Sequence, residues 1–376
     1  MSKKKDFDLF STAGWSATAV LGVAAAFYLA STFERPPVTA IQWGPRGTGM
    51  ELVYNPRTVV RELPRHGVPA KEEEVEKSGI PSREAYENVQ VLGDLDSAEF
   101  LRLMNAITAW VSPQQGCNYC HNPQNLAEDS VYTKIVTRKM LQMTKVINES
   151  WQAHVGQTGV TCWTCHRGQP VPAYVWSTET REAERRTRGL MTTAAGQNTV
   201  STAAGLSSLP TDPFTPFLLE DKQIRITTTW TPMSLGDNRM SIKQTEWTYA
   251  LMFHFSAATG ANCTFCHNSQ NFGKWEGSTP QRVTAWHGIA MTRAMNTEWI
   301  EPLTPLWREN PKGPPEAGAA AAVARLGPAG DALKINCMTC HQGAHKPMLG
   351  ARMLADYPEL NAVSREPIPL RAAMRQ

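Results

Sequence analysis

The hydrophobic pattern divides the chain into stretches of different kinds. Residues 11–33 form a run of 23 without a charge, centred on AVLGVAAAFYLA. A helix of that length crosses a hydrocarbon core of about 30 Å. Lys3, Lys4 and Lys5 precede it, which places residues 1–10 in the cytoplasm, and Trp15 and Tyr28 suit the two interfaces. The run is long and no small-x-small site precedes the polar stretch after it, so it reads as a retained anchor rather than a cleaved signal peptide. Residues 34–88 are rich in Pro, Gly and charge, including KEEEVEK at 71–77. They read as an extended segment over the surface, with the charge run as a solvated face and His66 exposed.

Helical periodicity begins beyond that segment. Asp96 is a candidate N-cap with Glu99 three residues on, and Phe100, Leu103, Met104, Ile107 and Val111 make one apolar face. Val136, Met140, Met143 and Ile147 make another, on a helix expected to continue to Gly156 as its stop. On that helix Met140 and His154 point the same way, roughly 21 Å apart. Further helices are expected over 245–258 and, opening at Thr279-Pro280, to about Trp299; a short strand is expected over 223–230. Residues 176–222 are Pro-, Thr- and Ala-rich and read as a connector. PKGPPEAGAAAAVARLGPAGD at 311–331 reads as a low-complexity loop.

Composition changes this picture in one respect. A net charge of +3 with 37 basic and 34 acidic residues gives no sign of nucleic-acid binding. The eight cysteines say more, because all lie in four copies of Cys-x-x-Cys-His: Cys117/Cys120/His121, Cys162/Cys165/His166, Cys263/Cys266/His267 and Cys337/Cys340/His341. Two thiols about one helical turn apart can add to the two vinyl groups of one porphyrin, and the adjacent imidazole then meets the iron. Zinc sites or disulfides would not explain why each second Cys is followed at once by His. The pattern predicts four covalently bound c-type haems. Haem is attached outside the cytoplasm, so the bulk of the chain is expected in the periplasm, and no cysteine remains for a disulfide or a lipid anchor.

The motifs belong to an internal repeat. CNYCHNPQNL at 117–126 matches CTFCHNSQNF at 263–272, and TCWTCHRGQP at 161–170 is paralleled by NCMTCHQGAH at 336–345. MTKVINESW at 143–151 matches MTRAMNTEW at 291–299, an offset of 148. At that offset Met140 meets Gly288 and His154 meets Pro302. One half has lost a candidate Met ligand and the other holds an unmatched His; both oddities are explained if His154 binds the haem of the fourth motif. Met104, Met140 and Met252 lie on the helices leading to the first three motifs and are candidate sixth ligands, although Met on an apolar helix face also serves as core filler. His254 rivals Met252 for the third haem, and His287 rivals His154 for the fourth; His345 is a further spare imidazole.

The expected fold is mainly α with long irregular segments: a multihaem cytochrome c of two pseudo-repeated helix–haem–helix–haem halves with one N-terminal transmembrane helix. Its expected divisions are 1–10, the anchor 11–33, the surface segment 34–88, a first dihaem half 89–175, the connector 176–222, a second half 223–350 and a tail 351–376.

EFLRLMNAITAWVSPQQGCNYCHN, RKMLQM, QAHVGQTGVTCWTCHRG, GANCTFCHN, STPQR, CMTCHQG and DYPEL together cover most of residues 89–361. As a set they make the chain resemble the tetrahaem cytochrome subunit of purple-type photosynthetic reaction centres. The resemblance implies His/Met ligation of three haems through Met104, Met140 and Met252, and bis-His ligation of the fourth through His154. It also implies a third haem nearest the bacteriochlorophyll special pair, with Arg282 of STPQR beside that haem. The implied role is electron transfer, not enzymic catalysis. Electrons would come from a soluble cytochrome c or high-potential iron–sulfur protein and pass to the photo-oxidised pair. The implied partners are the reaction-centre core subunits and light-harvesting subunits in the photosynthetic membrane. Some members carry a lipidated N-terminal cysteine, which this chain lacks. The competing reading is a membrane-anchored tetrahaem quinol dehydrogenase, a class about half this length that relies mainly on His ligands. A multihaem reductase would need an iron with an open position, and no motif here departs from Cys-x-x-Cys-His.

Overall fold

The computed structural model describes residues 13–33, 39–46, 48–178, 201–226, 242–314 and 324–361. Helix α1 (Ala13–Thr32) contains the apolar run, and none of its Gly14–Thr32 span is buried. At 1.5 Å per residue its 20 residues reach about 30 Å. Among the described residues it is the one helix long and apolar enough to cross a membrane.

The stretch expected to run extended over the surface is structured at its start. Strands β1 (Thr39–Gln42) and β2 (Glu51–Tyr54) pair antiparallel, Ile41 opposite Leu52. The hairpin docks on the third motif: Val53 N–H donates to Asn262 Oδ1 at 2.8 Å, Thr264 Oγ1 to the Glu51 carbonyl at 3.1 Å, and Trp43 meets Phe265 edge-on. Helix α2 (Pro56–Glu62), with Asn55 as N-cap, leads into a 3₁₀ turn, Leu63–His66, that buries His66. The expectation of an exposed His66 fails because this turn tucks against the second motif. There Trp163 Nε1 donates to the Gly67 carbonyl and Arg167 to that of Arg65.

After the short α3 (Ser82–Ala85), α4 (Ser97–Val111) starts where its cap predicts. The Asp96 carboxylate accepts from the N–H groups of Ala98, Ser78 and Gly79, so one side chain both caps the helix and pins the incoming strand. These bonds hold its acid well below the usual carboxylate range, at about 2, against a burial penalty of opposite sign. Helix α5 (Tyr132–Ser150) is followed by a separate turn, α6 (Gln152–Val155). The continuous helix expected from Met140 to His154 is therefore broken at Trp151, whose backbone leaves the helical region (φ −115°, ψ 29°). The cause is tertiary: Trp151 and Val155 turn to pack with Ile147, Met291 and Met295. Gly156 ends the turn with a positive φ of 57°. Then comes α7 (Cys162–His166), the second motif itself.

Within the connector, Phe214, Phe217 and Leu218 are buried around a π-helical stretch, Thr215–Leu219. Residues 223–226 are irregular, and the rest of the expected strand lies outside the described residues. Helix α8 (Ile242–Thr259) precedes the third motif. Helix α9 (Pro280–Ala294) has Thr279 as N-cap and Pro280 in the first turn, and it relaxes into a π-helical Met295–Ile300. Helix α10 (Thr304–Glu309) and α11 (Cys337–His341), the fourth motif, complete the order.

Two asparagines 148 residues apart perform the same task. Asn148 Nδ2 donates to the carbonyls of Val160 and Leu360, and its Oδ1 accepts from Val160 N–H. Asn296 Nδ2 donates to those of Leu218 and Ile335, and its Oδ1 accepts from Ile335 N–H. Each clamps the strand that delivers a motif helix. The tail is also core rather than appendage up to Leu360. Tyr357 and Leu360 are fully buried, Tyr357 lies edge-on to Trp110 with Arg102 over its ring, and its hydroxyl accepts from Glu72 N–H. Asn148→Ala leaves an N–H and two carbonyls buried without partners. We expect it to destabilise the protein by roughly 1–3 kcal/mol, seen as a lower thermal midpoint in absorbance-monitored unfolding. An unchanged midpoint would show that the clamp carries no stability.

Candidate functional site

Each motif histidine is fixed by the same bond. The Nδ1–H of His121 donates to the Leu126 carbonyl at 2.8 Å, His166 to Gln169 at 2.8 Å, His267 to Phe272 at 3.0 Å and His341 to Ala344 at 2.9 Å. A carbonyl can only accept, so the ring proton sits on Nδ1 and the lone pair is left on Nε2. This is the tautomer that binds a metal, held by the outer hydrogen bond that orients such ligands. Burial lowers the pKa of His166, His267 and His341, the last to about 4 with His154 as the next contribution. All three are neutral at pH 7, as ligands must be.

The second and fourth motifs close in parallel ways. Thr161 and Thr164 exchange capping bonds at the start of α7, as Asn336 and Thr339 do at α11, and Arg167 and Gln342 end the helices in left-handed conformations (φ 49° and 50°). The motif cysteines are free thiols. All eight are unpaired, and burial pushes the Cys162 and Cys337 thiols up to about 12, which keeps them neutral. Among the described residues no three His, Cys, Asp or Glu side chains converge as a bare-ion site.

A cavity of about 650 Å³ runs between the first two motifs. Its walls carry Cys117, Cys120 and His121, then Cys162, Cys165 and His166, and also Met104 and Met140. That volume is in the range of cofactor pockets, roughly 300–1,000 Å³. Thr108 and Thr144 each donate to the carbonyl of the Met four residues earlier, so both Met turns of helix are braced alike. Met252 is half-buried on α8.

At the fourth motif the His154 ring faces the His341 ring, centroids 5.9 Å apart and planes at 64°. His154 Nδ1–H donates to the Thr284 carbonyl at 2.9 Å, which leaves its Nε2 as the lone-pair nitrogen, as in the motif histidines. Gly288 makes room for it: a Cβ there would lie 2.4 Å from His154 Cε1. The missing Met and the unmatched His thus meet at one point. Of the two rivals, His287 lies edge-on to Trp286 and within electrostatic reach of His154, and His345 lies beside Phe265 and within electrostatic reach of His341. His254, the rival of Met252, is buried beside Phe214 and donates to the Ala203 carbonyl. Burial lowers it to about 4, with His341 contributing.

Arg282 stacks over Trp275 at 4.5 Å and donates to Ser278 Oγ at 2.8 Å and to the Lys274 and Gly273 carbonyls, within electrostatic reach of Cys266 and His267. Sequence reasoning missed Arg225, which shares the Gly273 carbonyl, and the buried Arg325, which donates to Tyr119 Oη of the first motif at 3.2 Å. Arg225 lies on the polar side of the strand expected over 223–230, and Arg325 lies in a stretch read as a loop, where no periodicity marks a buried side. The only available signal was an isolated Arg within an Ala- and Gly-rich run.

A family model described as "Photosynthetic reaction centre cytochrome C subunit" matches residues 34–361. Several curated relatives are called photosynthetic reaction center cytochrome c subunit. That of Rubrivivax gelatinosus is 47% identical, covering 95% of this chain and 91% of its own length. That of Thermochromatium tepidum is 44% identical, over 89% and 78%. That of Roseobacter denitrificans is 38% identical, over 93% of both.

The contact at Gly288 generates a test of geometry alone. Gly288→Ala should cost about 1–3 kcal/mol as an overpacked site. In a Gly288→Ala/His154→Ala double variant that added cost should vanish, a coupling read from thermal unfolding of the four proteins. Additive effects would place His154 away from Gly288.

Proposed function

This chain belongs to the family of photosynthetic reaction centre cytochrome c subunits, and from that premise we propose how its residues carry electrons. Its role as the cytochrome of a photosynthetic reaction centre, with covalently bound haem, follows from the family. The finer reading is a tetrahaem protein of two pseudo-repeated halves, each holding two haems. Its support is the shared geometry of the four motif histidines, together with the matching Asn148 and Asn296 clamps.

Haem, when bound, supplies a one-electron ferric/ferrous couple. The cysteine pairs 117/120, 162/165, 263/266 and 337/340 would attach it, and His121, His166, His267 and His341 would present Nε2 to the iron. Met104, Met140 and Met252 would complete three sites with thioethers, which raise the potential relative to imidazole. His154 would complete the fourth, as its ring opposite His341 and the space at Gly288 support. Arg282 brings a fixed positive charge to the third site, which favours the reduced state there. The walls of the cavity between the first two motifs are mainly apolar, and the bond at each ring Nδ1 would hold the ring's orientation. We place α1 in the membrane with the haem-bearing body in the periplasm. It would face a soluble cytochrome c or high-potential iron–sulfur protein as donor, with the reaction-centre core and light-harvesting subunits as neighbours. The decisive experiment is purification from photosynthetic membranes. Bacteriochlorophyll-binding subunits should come with this chain, and a flash should oxidise its haems; a haem complex free of pigment would favour the quinol dehydrogenase reading.

Two variants test the ligand assignments. Met140→His should keep four haems and lower the potential of the second alone; an unchanged titration would make Met140 core filler. His154→Met should raise the fourth haem's potential and leave the others in place, checked by spectropotentiometry. Spectra still showing bis-imidazole ligation in that variant would hand the site to another histidine.

A further inference from the structure

Lys134 is buried in the first turn of α5. The positive end of the helix dipole disfavours a cation there, and a lysine is almost never buried unless its charge is paired. What the ammonium reaches explains the placement. It donates back along the loop after the first motif, to the carbonyls of Leu126 at 2.9 Å, Ala127 at 2.7 Å and Glu128 at 3.0 Å, with the Asp129 carboxylate at 3.3 Å. All three of its protons are thus used inside the protein.

One of those carbonyls is already engaged. Leu126 also takes the Nδ1–H of His121 at 2.8 Å, so a single oxygen accepts from the ammonium and from the motif ring. A carbonyl has two lone pairs and can serve both, but a cation on one draws electron density from the other. The bond to the ring is weaker for it. Among the described residues, the carbonyls of Gln169, Phe272 and Ala344 serve the ring of their own motif with no ammonium or guanidinium donating to them. The third motif makes the contrast sharpest, because Arg282 holds the same third position in α9 that Lys134 holds in α5. Arg282 donates to Gly273 and Lys274, the next two carbonyls, and leaves that of Phe272 to His267. There the Phe272 ring lies flat on the imidazole, centroids 4.5 Å apart and planes at 8°. Two matching loops therefore treat their rings differently.

We propose that Lys134 sets the donor strength of His121 through the shared Leu126 carbonyl and so makes the first haem easier to reduce. This rests on the reading of His121 as the ligand of that haem. An outer hydrogen bond raises the basicity of a ligating imidazole, and a stronger donor favours ferric iron. With Lys134 on the same oxygen that push is reduced, and the nearby positive charge favours the reduced state as well. Both effects have the same sign. Lys134 is a positioning residue, since it touches the partner of the ligand and not the iron.

Redox titration of the purified, haem-loaded protein tests this, with the first haem's band marked by Met104→His. Lys134→Met keeps an unbranched side chain and removes the charge. It should make the first haem harder to reduce by roughly threefold to tenfold in its reduction equilibrium and leave the other three within about twofold. Ferric EPR gives a readout that a merely structural role would not move. The low-spin g values of the first haem should shift as the ligand field of His121 strengthens, while the other signals stay. Arg138→Met removes a neighbouring cation that bonds Asp129 at 2.9 Å and does not touch Leu126; it should move the potential less and the g values not at all. Asp129→Asn leaves the ammonium on its carbonyls and removes the anion beside it. It should move the first haem's potential and g values the opposite way, and it decides alone if Lys134→Met does not fold. Equal shifts in Lys134→Met and Arg138→Met, unchanged g values in Lys134→Met, or a shift shared by all four haems overturns the assignment. Failure of the underlying reading looks different: a wild-type peptide spanning Cys117 and Cys120 that carries no haem mass refutes a haem at that motif.

Discussion

An imidazole binds iron only when its proton is held elsewhere, and the fold is arranged around meeting that demand. At each motif the carbonyl that takes the Nδ1 proton lies three or five residues downstream of the ring, in a turn closing the helix or 3₁₀ segment that carries the cysteines. The turn must be rigid for the ring to be rigid. At the second and fourth motifs that rigidity comes from the reciprocal caps and from Arg167 and Gln342 in left-handed conformations, a geometry that strains most side chains. The asparagine clamps then fix where each motif helix starts. At these two motifs a left-handed residue follows the ring directly.

Much of this was legible because it is local. The cap at Asp96, the Thr279-Pro280 start of α9 and the four motifs each announce themselves within a few residues, since capping and haem attachment are set by short spacings. What failed to show in the sequence was tertiary. Nothing local predicts that α5 breaks at Trp151; the break exists because Trp151 and Val155 gain a place among Met291 and Met295 from the other half. His66 reads as exposed beside Arg65 and Gly67, yet it is buried because two side chains of the second motif hold that backbone down. Tyr357 and Leu360 carry no periodicity at all, but α4 and α5 close over them.

The repeat explains why His154 lies beside His341 and Gly288 although the helix expected to carry it there is broken. The argument from one straight helix fails, but the argument from offset does not depend on helix geometry. Residues at equal offsets face equal surroundings if the two halves pack alike, so a Met lost at Gly288 leaves space of a defined size. The break at Trp151 is what delivers His154 to that space: α6 packs on α9, and the ring reaches the Thr284 carbonyl one turn before Gly288. A straight helix would have carried His154 along the axis of α5 instead.

Asymmetry, more than symmetry, carries the functional content. Two matching halves would give two matching pairs of sites, with little to order electrons among them. Here the differences fall at points that act on charge and ligand field: Gly288 against Met140, and Gln342 against Arg167. A thioether, a guanidinium and an imidazole each displace a reduction equilibrium by a different mechanism. If the four motifs hold haem as proposed, these few substitutions would make similar cradles unequal, and residues that break the repeat would decide the direction in which an electron moves.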